Sequence, residues 1–525
     1  MKKIHIYIAM AIVVLFAFSS CKKYLDELPD NRAELNNADK ISRLLVSAYP
    51  YGSYVVPTEY SSDNVDDYGP NFSTTRLWTQ LYNWEDATET ANDGIERIWS
   101  GSYSAIASAN QALTAIEELG SPSNLNAAKG EALIARAYNH FILVNVFAQH
   151  YSPTTSATDL GITYMTKSEN TLDPKYTRNT VKEVYEYILK DIQDGLPLIN
   201  DASYANANVA KFHFNKSAAN AFAARVNLYM GKWAEAIKYA TASFENSPTS
   251  YVRDYNKIAG FSASFSNMAR EYNSSSIKAN LLITPATSSM GTIFGAYTSN
   301  SRLVPGLALA NFETIQAKGP FGTFTTTGYR LKAFSYSGTS NKVLFPHLSY
   351  IFETTDPVAN TGFSKGIFAP FTFEEALLTR AEANIQLKNY PAALADMQYW
   401  GNFTYTSTTL PTLTEANINT WANSLAYYTP TAPTPKKKLN PEFTIEAGTQ
   451  ENMLHAVLFM RRIETYHTGL RWFDIKRYGI EVTRRLTTGA VINSVYDNTL
   501  TVKDPRRAIQ LPQDVIAAGL TPNPR

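Results

Sequence analysis

Two short alanine-rich helices separated by a tight break constrain this fold more than any other feature of the chain. They lie in residues 375–397, EALLTRAEANIQLKNYPAALADM, and the break falls at residues 388–391 (KNYP). Ala381 and Ala393 stand where the two helices would touch, because small residues let two backbones approach closely. Tyr390 would pack beside the turn. This layout is typical of a tetratricopeptide-type helical hairpin.

The same pattern occurs twice more in the chain. Residues 131–137 (EALIARA) repeat the start of the first copy, EALLTRA, almost letter for letter. Residues 219–240 align on Ala224 and Ala236, and Trp233 stands where Tyr390 stands in the first copy. Repeated helical hairpins stack side by side into one scaffold. We therefore expect a mainly α fold, a tetratricopeptide-like helical-repeat scaffold with long irregular insertions, whose function lies in what is added to the scaffold.

The helical pattern is interrupted by long segments rich in Gly, Pro, Ser, Thr and aromatic residues. Such segments predict irregular structure, and long irregular segments on a rigid frame often carry function. We expect a single domain over residues 38–525, with the scaffold at about 38–48, 95–245, 374–399 and 451–480. The loop-rich insertions are expected at about 49–94, 246–373 and 400–450. Within the scaffold, Thr180 and Glu183 have the spacing of a capping box that opens a helix.

The first 20 residues are organised like a secretory signal. Lys2 and Lys3 precede an apolar run at residues 4–18, which is too short for a membrane-spanning helix. Two serines then precede Cys21, the only cysteine of the chain. This order resembles a bacterial lipobox and predicts a lipid anchor, such as palmitate, on Cys21, followed by a polar tether at residues 21–37. The alternative is an ordinary signal peptide with an incidental cysteine.

Several classes of function are disfavoured by composition and by missing motifs. The chain has 47 Lys and Arg against 46 Asp and Glu and shows no basic patch, which argues against a nucleic-acid partner. Its seven histidines form no HExxH pair or cysteine–histidine cluster, so we predict no zinc site and no cofactor. No Gly-x-Ser-x-Gly elbow or phosphate-cradling glycine loop occurs. A glycosidase pair of carboxylates stays open.

Two clusters of charged residues have competing interpretations. Asp63, Asp66 and Asp67 supply oxygen atoms that could bind calcium, but they lack the spacing of an EF-hand loop. A solvated acidic loop is therefore the favoured interpretation. The second cluster is expected to form ion pairs within the fold, because arginine forks pair well with carboxylates; it comprises Arg461, Arg471, Arg477, Glu464 and Asp474.

Aromatic residues also divide into two groups. Sugars present flat apolar faces that stack on exposed rings, while their hydroxyl groups reach nearby polar side chains. Trp78, Tyr82 and Trp84, with Asn83, lie in the first irregular segment and could form such a ligand-binding platform. The alternative for each ring is that it merely pins a loop to the core. Three other tryptophans lie on predicted helices and are expected in the core: Trp99, Trp233 and Trp472.

Short motifs spread over nearly the whole chain occur in a characteristic order. They are CKKYLD at 21–26, RAYNHF at 136–141, ARVNLYMGKW at 224–233, RAEA at 380–383, and RRIE followed by GLRWFDIKR within 461–477. In this order and number they resemble the SusD/RagB family of Bacteroidetes outer-membrane nutrient-binding lipoproteins. Met460, and Thr468 before Gly469, stand where the family usually has glutamate, which marks the chain as a divergent member.

The resemblance implies a lipid-anchored, non-catalytic binding protein on the outer membrane, facing the exterior. Such proteins sit on a SusC-like TonB-dependent transporter, capture a glycan or in some members a peptide, and deliver it to the barrel. The repeats would face the transporter, and the insertions would form the ligand face. The resemblance adds three residues of the insertion at residues 246–373, the first long insertion, to the ligand-binding candidates: Tyr297, Phe321 and Tyr329. A peptide-binding member, a helical-repeat assembly scaffold and a surface hydrolase remain as alternatives.

Overall fold

The computed structural model of the chain describes residues 35–169, 171, 175–245, 247–261, 264–296, 300–336 and 342–525. The predicted signal segment, Cys21, most of the tether and Tyr297 lie outside these residues. Within the described ranges, no helix combines the length and the apolar character needed to cross a membrane.

Helices make up most of the regular structure. In chain order they are α1 (Ala38–Leu45), α2 (Val55–Ser61), α3 (Arg76–Tyr82), α4 (Ile95–Glu118), α5 (Asn126–Phe147), α6 (Val181–Gly195), α7 (Ala207–Ala210), α8 (Lys216–Tyr229), α9 (Trp233–Ser243), α10 (Pro248–Tyr251), α11 (Tyr255–Ala259), α12 (Phe265–Tyr272), α13 (Met290–Ile293), α14 (Leu307–Phe312), α15 (Phe373–Gln386), α16 (Tyr390–Thr404), α17 (Glu415–Asn423), α18 (Thr449–Glu464), α19 (Leu470–Arg477) and α20 (Gln513–Ala517).

Antiparallel helix pairs form the scaffold that the repeats predict. α15 and α16 are separated by a turn in which Lys388 has a positive φ of 59°. Ala381 and Ala393 are fully buried where the two helices meet. The α8–α9 hairpin is built in the same way, and its turn residue Gly231 has a φ of 71°. The predicted fold class, a mainly α tetratricopeptide-like scaffold with insertions, is confirmed.

The scaffold helices are joined to one another by buried ion pairs. Arg136 on α5 donates to both oxygens of Asp191 on α6, at 2.7 and 2.6 Å. Arg225 on α8 likewise donates to Glu375 on α15, at 2.9 and 2.7 Å. A carboxylate partner offsets much of the hydration that an arginine loses when it is buried. These pairs therefore fix which helices can pack together.

The predicted ion pairs of the arginine-rich segment form in part. Arg477 pairs with Glu382 and Asp474 at 2.7 and 2.6 Å, and Arg461 lies 3.4 Å from the same two acids. Arg471 instead reaches Asp63, 408 residues earlier in the chain. The prediction for Glu464 is wrong: this carboxylate accepts a hydrogen bond from Trp400 Nε1 at 2.8 Å, and burial raises its pKa.

Strands occur in the insertions at residues 49–94 and 246–373 and again after residue 480, outside the predicted insertions. They are β1 (Asp66–Asp67), β2 (Asn280–Thr287), β3 (Leu303–Val304), β4 (Phe334–Tyr336), β5 (Lys342–Leu344), β6 (Ile351–Asp356), β7 (Thr361–Thr372), β8 (Val482–Thr488) and β9 (Val491–Leu500). The described sheets have the strand orders β3-β1-β8-β9, β2-β7-β6 and β4-β5. In the first of these sheets, β1 is antiparallel to β3 and parallel to β8.

Candidate functional site

The N-terminal irregular segment and the first long insertion form one surface. Asp66 and Asp67 of β1 pair with Val304 and Leu303 of β3. Beyond the strands, the backbone N–H of Ser73 donates to the carbonyl of Asn300 at 2.9 Å. Two of the segments from which ligand-binding residues were predicted are thus joined by main-chain hydrogen bonds.

Arg302 lies on this surface in a fixed orientation. Its Nε and Nη2 atoms each donate to one oxygen of Asp67 at 2.7 Å, and the Tyr496 hydroxyl donates to the same carboxylate at 3.0 Å. The side chain of Arg302 is 26% exposed. A guanidinium has five N–H donors, and the bidentate pair uses two of them. Arg302 can therefore hydrogen-bond a ligand hydroxyl without giving up its carboxylate partner.

Trp78 supplies the aromatic part of the surface. It lies on α3, whose first turn is capped by the Thr75 hydroxyl, which accepts a hydrogen bond from the Trp78 backbone N–H at 3.3 Å. The Trp78 ring stacks on Tyr60 with centroids 5.1 Å apart and an angle of 18° between the planes. Tyr60 in turn packs against Phe294 of the first long insertion, also at 5.1 Å. Trp78 is half-buried, so it is a rigid ring that is covered on one face and partly open to solvent.

Phe72 and Asn83 lie close to Trp78 in the chain. The Phe72 ring is half-buried and meets Tyr68 edge to face at 5.7 Å. Asn83 is half-buried at the C-terminal end of α3. We call this set the Trp78 surface; it comprises Phe72, Trp78, Asn83, Arg302 and Tyr496. It combines aromatic faces with amide, guanidinium and hydroxyl groups, which suits a ligand that has both apolar faces and hydroxyl groups.

The other predicted platform residues of the N-terminal segment are buried. Tyr82 and Trp84 are 2% and 5% exposed. The guanidinium of Arg484 lies over both rings, 4.0 Å from the first centroid and 4.1 Å from the second. Trp84 Nε1 also donates to the carbonyl of Ser61 at 2.8 Å. Both rings pin the segment to the core, and neither offers a face to a sugar in this structure.

The candidates of the first long insertion are buried in the same way. Phe321 is 5% exposed and packs at 5.6 Å from Tyr405. Tyr329 is 1% exposed, and its hydroxyl donates to the carbonyl of Ile315 at 2.7 Å. These two rings attach the insertion to the end of α16. A platform that included them would require this aromatic cluster to open.

The acidic segment is neither a solvated loop nor an open set of calcium ligands. Asp63 is bonded by both Nε and Nη2 of Arg471, at 2.8 and 2.9 Å. Asp66 accepts from Arg485 Nε at 2.7 Å, and Asp67 accepts from Arg302. All three aspartates are buried because arginines from distant segments neutralise them. The favoured interpretation of a solvated loop is therefore wrong. Within the described ranges, no cluster of three or more His, Cys, Asp or Glu residues is placed to hold a metal ion.

Of the tryptophans expected in the core, only Trp472 is fully buried. Trp99 and Trp233 are half-buried and pack against the core from its edge. The prediction also missed Arg302 and Tyr496, which lie in a Ser/Thr-rich insertion and in an unassigned strand. Nothing in the local pattern distinguishes these two residues, because their common partner, Asp67, is more than 200 residues away from both in the chain.

Comparison with known proteins supports the resemblance to the SusD/RagB family. Residues 23–228 match the family model SusD-like_3, described as "Starch-binding associating with outer membrane". The fold is similar to that of a putative sugar binding protein from Bacteroides vulgatus ATCC 8482, with a TM-score of 0.65, 19% identity, and coverage of 94% of this chain and 99% of that one. The comparison with curated proteins finds no significant match.

Two further solved structures share the fold. A SusD superfamily protein from Bacteroides thetaiotaomicron VPI-5482 gives a TM-score of 0.61 at 18% identity, covering 94% of this chain and 100% of that one. A SusD-like carbohydrate binding protein from Bacteroides vulgatus ATCC 8482 gives a TM-score of 0.60 at 15% identity, covering 91% of this chain and 96% of that one. The resemblance to the SusD/RagB family that the ordered motifs predict is confirmed.

Proposed function

We propose that this chain is a non-catalytic glycan-binding lipoprotein of the cell surface. It captures an oligosaccharide or polysaccharide and passes it to a SusC-like TonB-dependent transporter in the outer membrane. The observation that carries the proposal is the Trp78 surface, where an aromatic ring backed by Tyr60 and an arginine oriented by Asp67 lie on neighbouring segments. The description of the matching family and the names of the solved relatives support the same class of ligand.

The chemistry of the surface fits a neutral sugar. The apolar C–H face of a pyranose ring can stack on the open part of Trp78, which is held flat by its contact with Tyr60. The free N–H groups of Arg302 and the amide of Asn83 can hydrogen-bond the sugar hydroxyl groups. Both the ring and the guanidinium are fixed before the ligand arrives, so little side-chain entropy is lost on binding.

Anchoring and delivery belong to the proposal as well. Acylation of Cys21 would hold the scaffold at the membrane face, and the polar residues that follow would act as a tether. Labelling of cells with a palmitate analogue should mark the wild-type chain and leave Cys21→Ser unlabelled. Equal labelling of the two proteins would argue for an ordinary signal peptide.

Calorimetry with a broad panel of neutral oligosaccharides tests the ligand-binding proposal. For a glycan that binds the wild type, we expect Trp78→Ala to weaken affinity at least tenfold while leaving the thermal unfolding transition cooperative. Trp99→Ala is the matched control, since Trp99 is also half-buried and packs on Tyr103 and Phe147. It should bind the glycan as the wild type does.

The same panel separates the alternatives. Binding of peptides with no binding of glycans would favour the peptide-binding version of the scaffold. An absence of binding by either class would favour an assembly scaffold, an alternative for which the burial of Tyr82, Trp84, Phe321 and Tyr329 already argues. Cleavage of a bound glycan would identify a surface hydrolase. Unchanged glycan affinity in Trp78→Ala would show that the ligand binds elsewhere.

A further inference from the structure

A cavity of about 600 Å³ lies at one end of the scaffold and shares no residue with the Trp78 surface. Six segments line it: the chain after α5, the α8–α9 turn, the loop at residues 440–443, the end of α19, the loop at residues 502–507 and Pro524 near the C-terminus. Small-molecule sites in proteins usually have volumes of about 300–1,000 Å³. The cavity is therefore large enough for a monosaccharide or a disaccharide.

Aromatic rings form part of its wall. Trp233 begins α9 directly after the turn and is half-buried. It meets Phe443 edge to face, with ring centroids 5.4 Å apart and an angle of 75° between the planes. Tyr151 adds a third half-buried ring, which packs against Tyr185 at 5.1 Å. Such a wall can take the apolar face of a small ligand.

Two buried cations on the inner side of the cavity lack a carboxylate partner. Lys476 Nζ donates only to the backbone carbonyls of Asn145 and Ala148, at 2.7 and 2.6 Å. Arg507 donates only to the carbonyls of Thr501, Ile475 and Ile480, at 2.7, 3.0 and 2.6 Å. Among the residues that the structure describes, no acid lies within ion-pair distance of either one.

The carbonyl contacts account for the position of these cations but not for their full charge. The Lys476 ammonium lies at the C-terminal end of α5. The dipole of that helix places a partial negative charge of about half an elementary charge there, which favours a cation. Lys476 is nevertheless so poorly compensated that burial and the nearby Arg507 lower its pKa to about 7. Burial likewise lowers the pKa of Arg507 to about 10, although the charges of Asp504 and Glu481 act in the opposite direction. An anion in the cavity would relieve both costs.

The remaining charged groups of the lining are already engaged. Arg477 is paired with Glu382 and Asp474. At the rim, Glu442 pairs with Lys503 at 2.8 Å, and Asp159 accepts a hydrogen bond from the Thr155 hydroxyl at 2.6 Å. Burial holds the pKa of His150 well below its usual range, so this ring is neutral. The inner side of the cavity is thus left with two cationic groups, Arg507 and Lys476, and Lys476 is only partly protonated near neutral pH until an anion binds beside it.

We propose that this cavity binds a small sugar acid, with its carboxylate held by Lys476 and Arg507 and its ring lying on Trp233. The site is separate from the Trp78 surface, so it would stand even if the glycan-binding proposal failed. The chemistry predicts discrimination by charge: a hexuronate should bind, and the neutral hexose of the same shape should not.

Calorimetry with D-glucuronate, and with D-glucose as its neutral counterpart, provides the test. We expect the wild-type protein to bind glucuronate at least tenfold more tightly than glucose. Lys476→Met should remove this preference, because it keeps the length of the side chain and removes the charge. Lys238→Met is the matched control: Lys238 is an exposed residue of α9 that pairs with Glu235, and its loss should change nothing.

A second variant tests the cavity itself and covers the case in which Lys476→Met does not fold. Val502 is a half-buried lining residue, and Val502→Trp adds bulk to the cavity while leaving both cations in place. It should abolish glucuronate binding and leave binding at the Trp78 surface unchanged. Equal affinity of the wild type for glucuronate and glucose would overturn the proposal. Wild-type glucuronate affinity in folded Lys476→Met, or in Val502→Trp, would do the same.

Discussion

Replacing Asp63 with asparagine tests whether buried ion pairs hold the N-terminal segment in place. Asp63 is bonded by Arg471 at 2.8 and 2.9 Å and by Lys437 at 2.9 Å, and Arg462 lies 3.3 Å away. Burial alone would raise the pKa of this carboxyl, but the three cations outweigh burial and hold the pKa well below its usual range. Asparagine keeps the shape of the side chain and removes only the charge.

The structure sets the size of the expected effect. Arg471 is only 3% exposed, and without the Asp63 charge it has no carboxylate within ion-pair distance among the described residues. Breaking a buried ion pair from one side costs about 3–5 kcal/mol, because the other charge stays buried and uncompensated. Arg462 and Lys437 keep a second acid, Glu313, at 3.0 and 2.9 Å. We therefore expect a loss near the lower end, about 3 kcal/mol.

Urea unfolding followed by circular dichroism measures this loss, and urea avoids the screening that an ionic denaturant would cause. Asp194→Asn is the matched control, since Asp194 pairs with Lys190 at 2.7 Å in solvent, and this variant should unfold like the wild type. The double variant Asp63→Asn/Arg471→Met should lose less than the sum of the two single variants. A loss below about 1 kcal/mol in Asp63→Asn would refute the reasoning.

Two further predictions concern the contact between α2 and α19. Burial raises the pKa of Glu59 to about 7, although Gly469 N–H and Asn64 donate to it. The carboxyl group of Glu59 thus binds its proton more tightly in the folded chain than in the unfolded chain. The free energy of unfolding should therefore fall by up to about 3 kcal/mol as the pH rises from about 4.5 to 7. Urea unfolding across this range should show a flatter profile for Glu59→Gln, and identical profiles would contradict the assignment. Gly469 has a φ of 76°, and a Cβ there would overlap Thr58, whereas Gly120 has a φ of 80° and open space around the same position. Gly120→Ala should lower the free energy of unfolding by about 1 kcal/mol, and Gly469→Ala should lower it clearly more. Equal losses in urea unfolding would show that the contact with α2 is not tight.

Local signals in the sequence predict the scaffold well. Thr180 and Glu183 form the capping box that their spacing indicates, with the Glu183 N–H donating to Thr180 Oγ1 at 3.2 Å. Ala381 and Ala393 meet inside their hairpin as predicted. Both features depend on residues close together in the chain, so a single sequence contains the information that they need.

The sheet beside the candidate site could not be predicted in the same way. β8 contains two consecutive arginines and reads as a polar, exposed stretch. Arg484 is nevertheless buried because it donates to the carbonyls of Tyr60, Ser62 and Tyr82. The burial of Trp84 could not be predicted for the same reason, because its ring is covered by that arginine. The partners lie about 400 residues away, and no local pattern contains them.

The distance along the chain between these partners has a consequence for how the protein folds. The segment around α2 and β1 is made early, yet its polar groups are satisfied by Arg471, Arg484 and Arg485, which are made more than 400 residues later. Contacts of such high sequence separation form slowly, because a long loop must close before they stabilise the chain. The helical hairpins can fold first, and the segment that contains Trp78 becomes ordered only after the C-terminal strands have formed. A chain truncated before β8 should therefore keep helices but lack an ordered Trp78 surface, and this segment stays without its partners until synthesis is nearly complete.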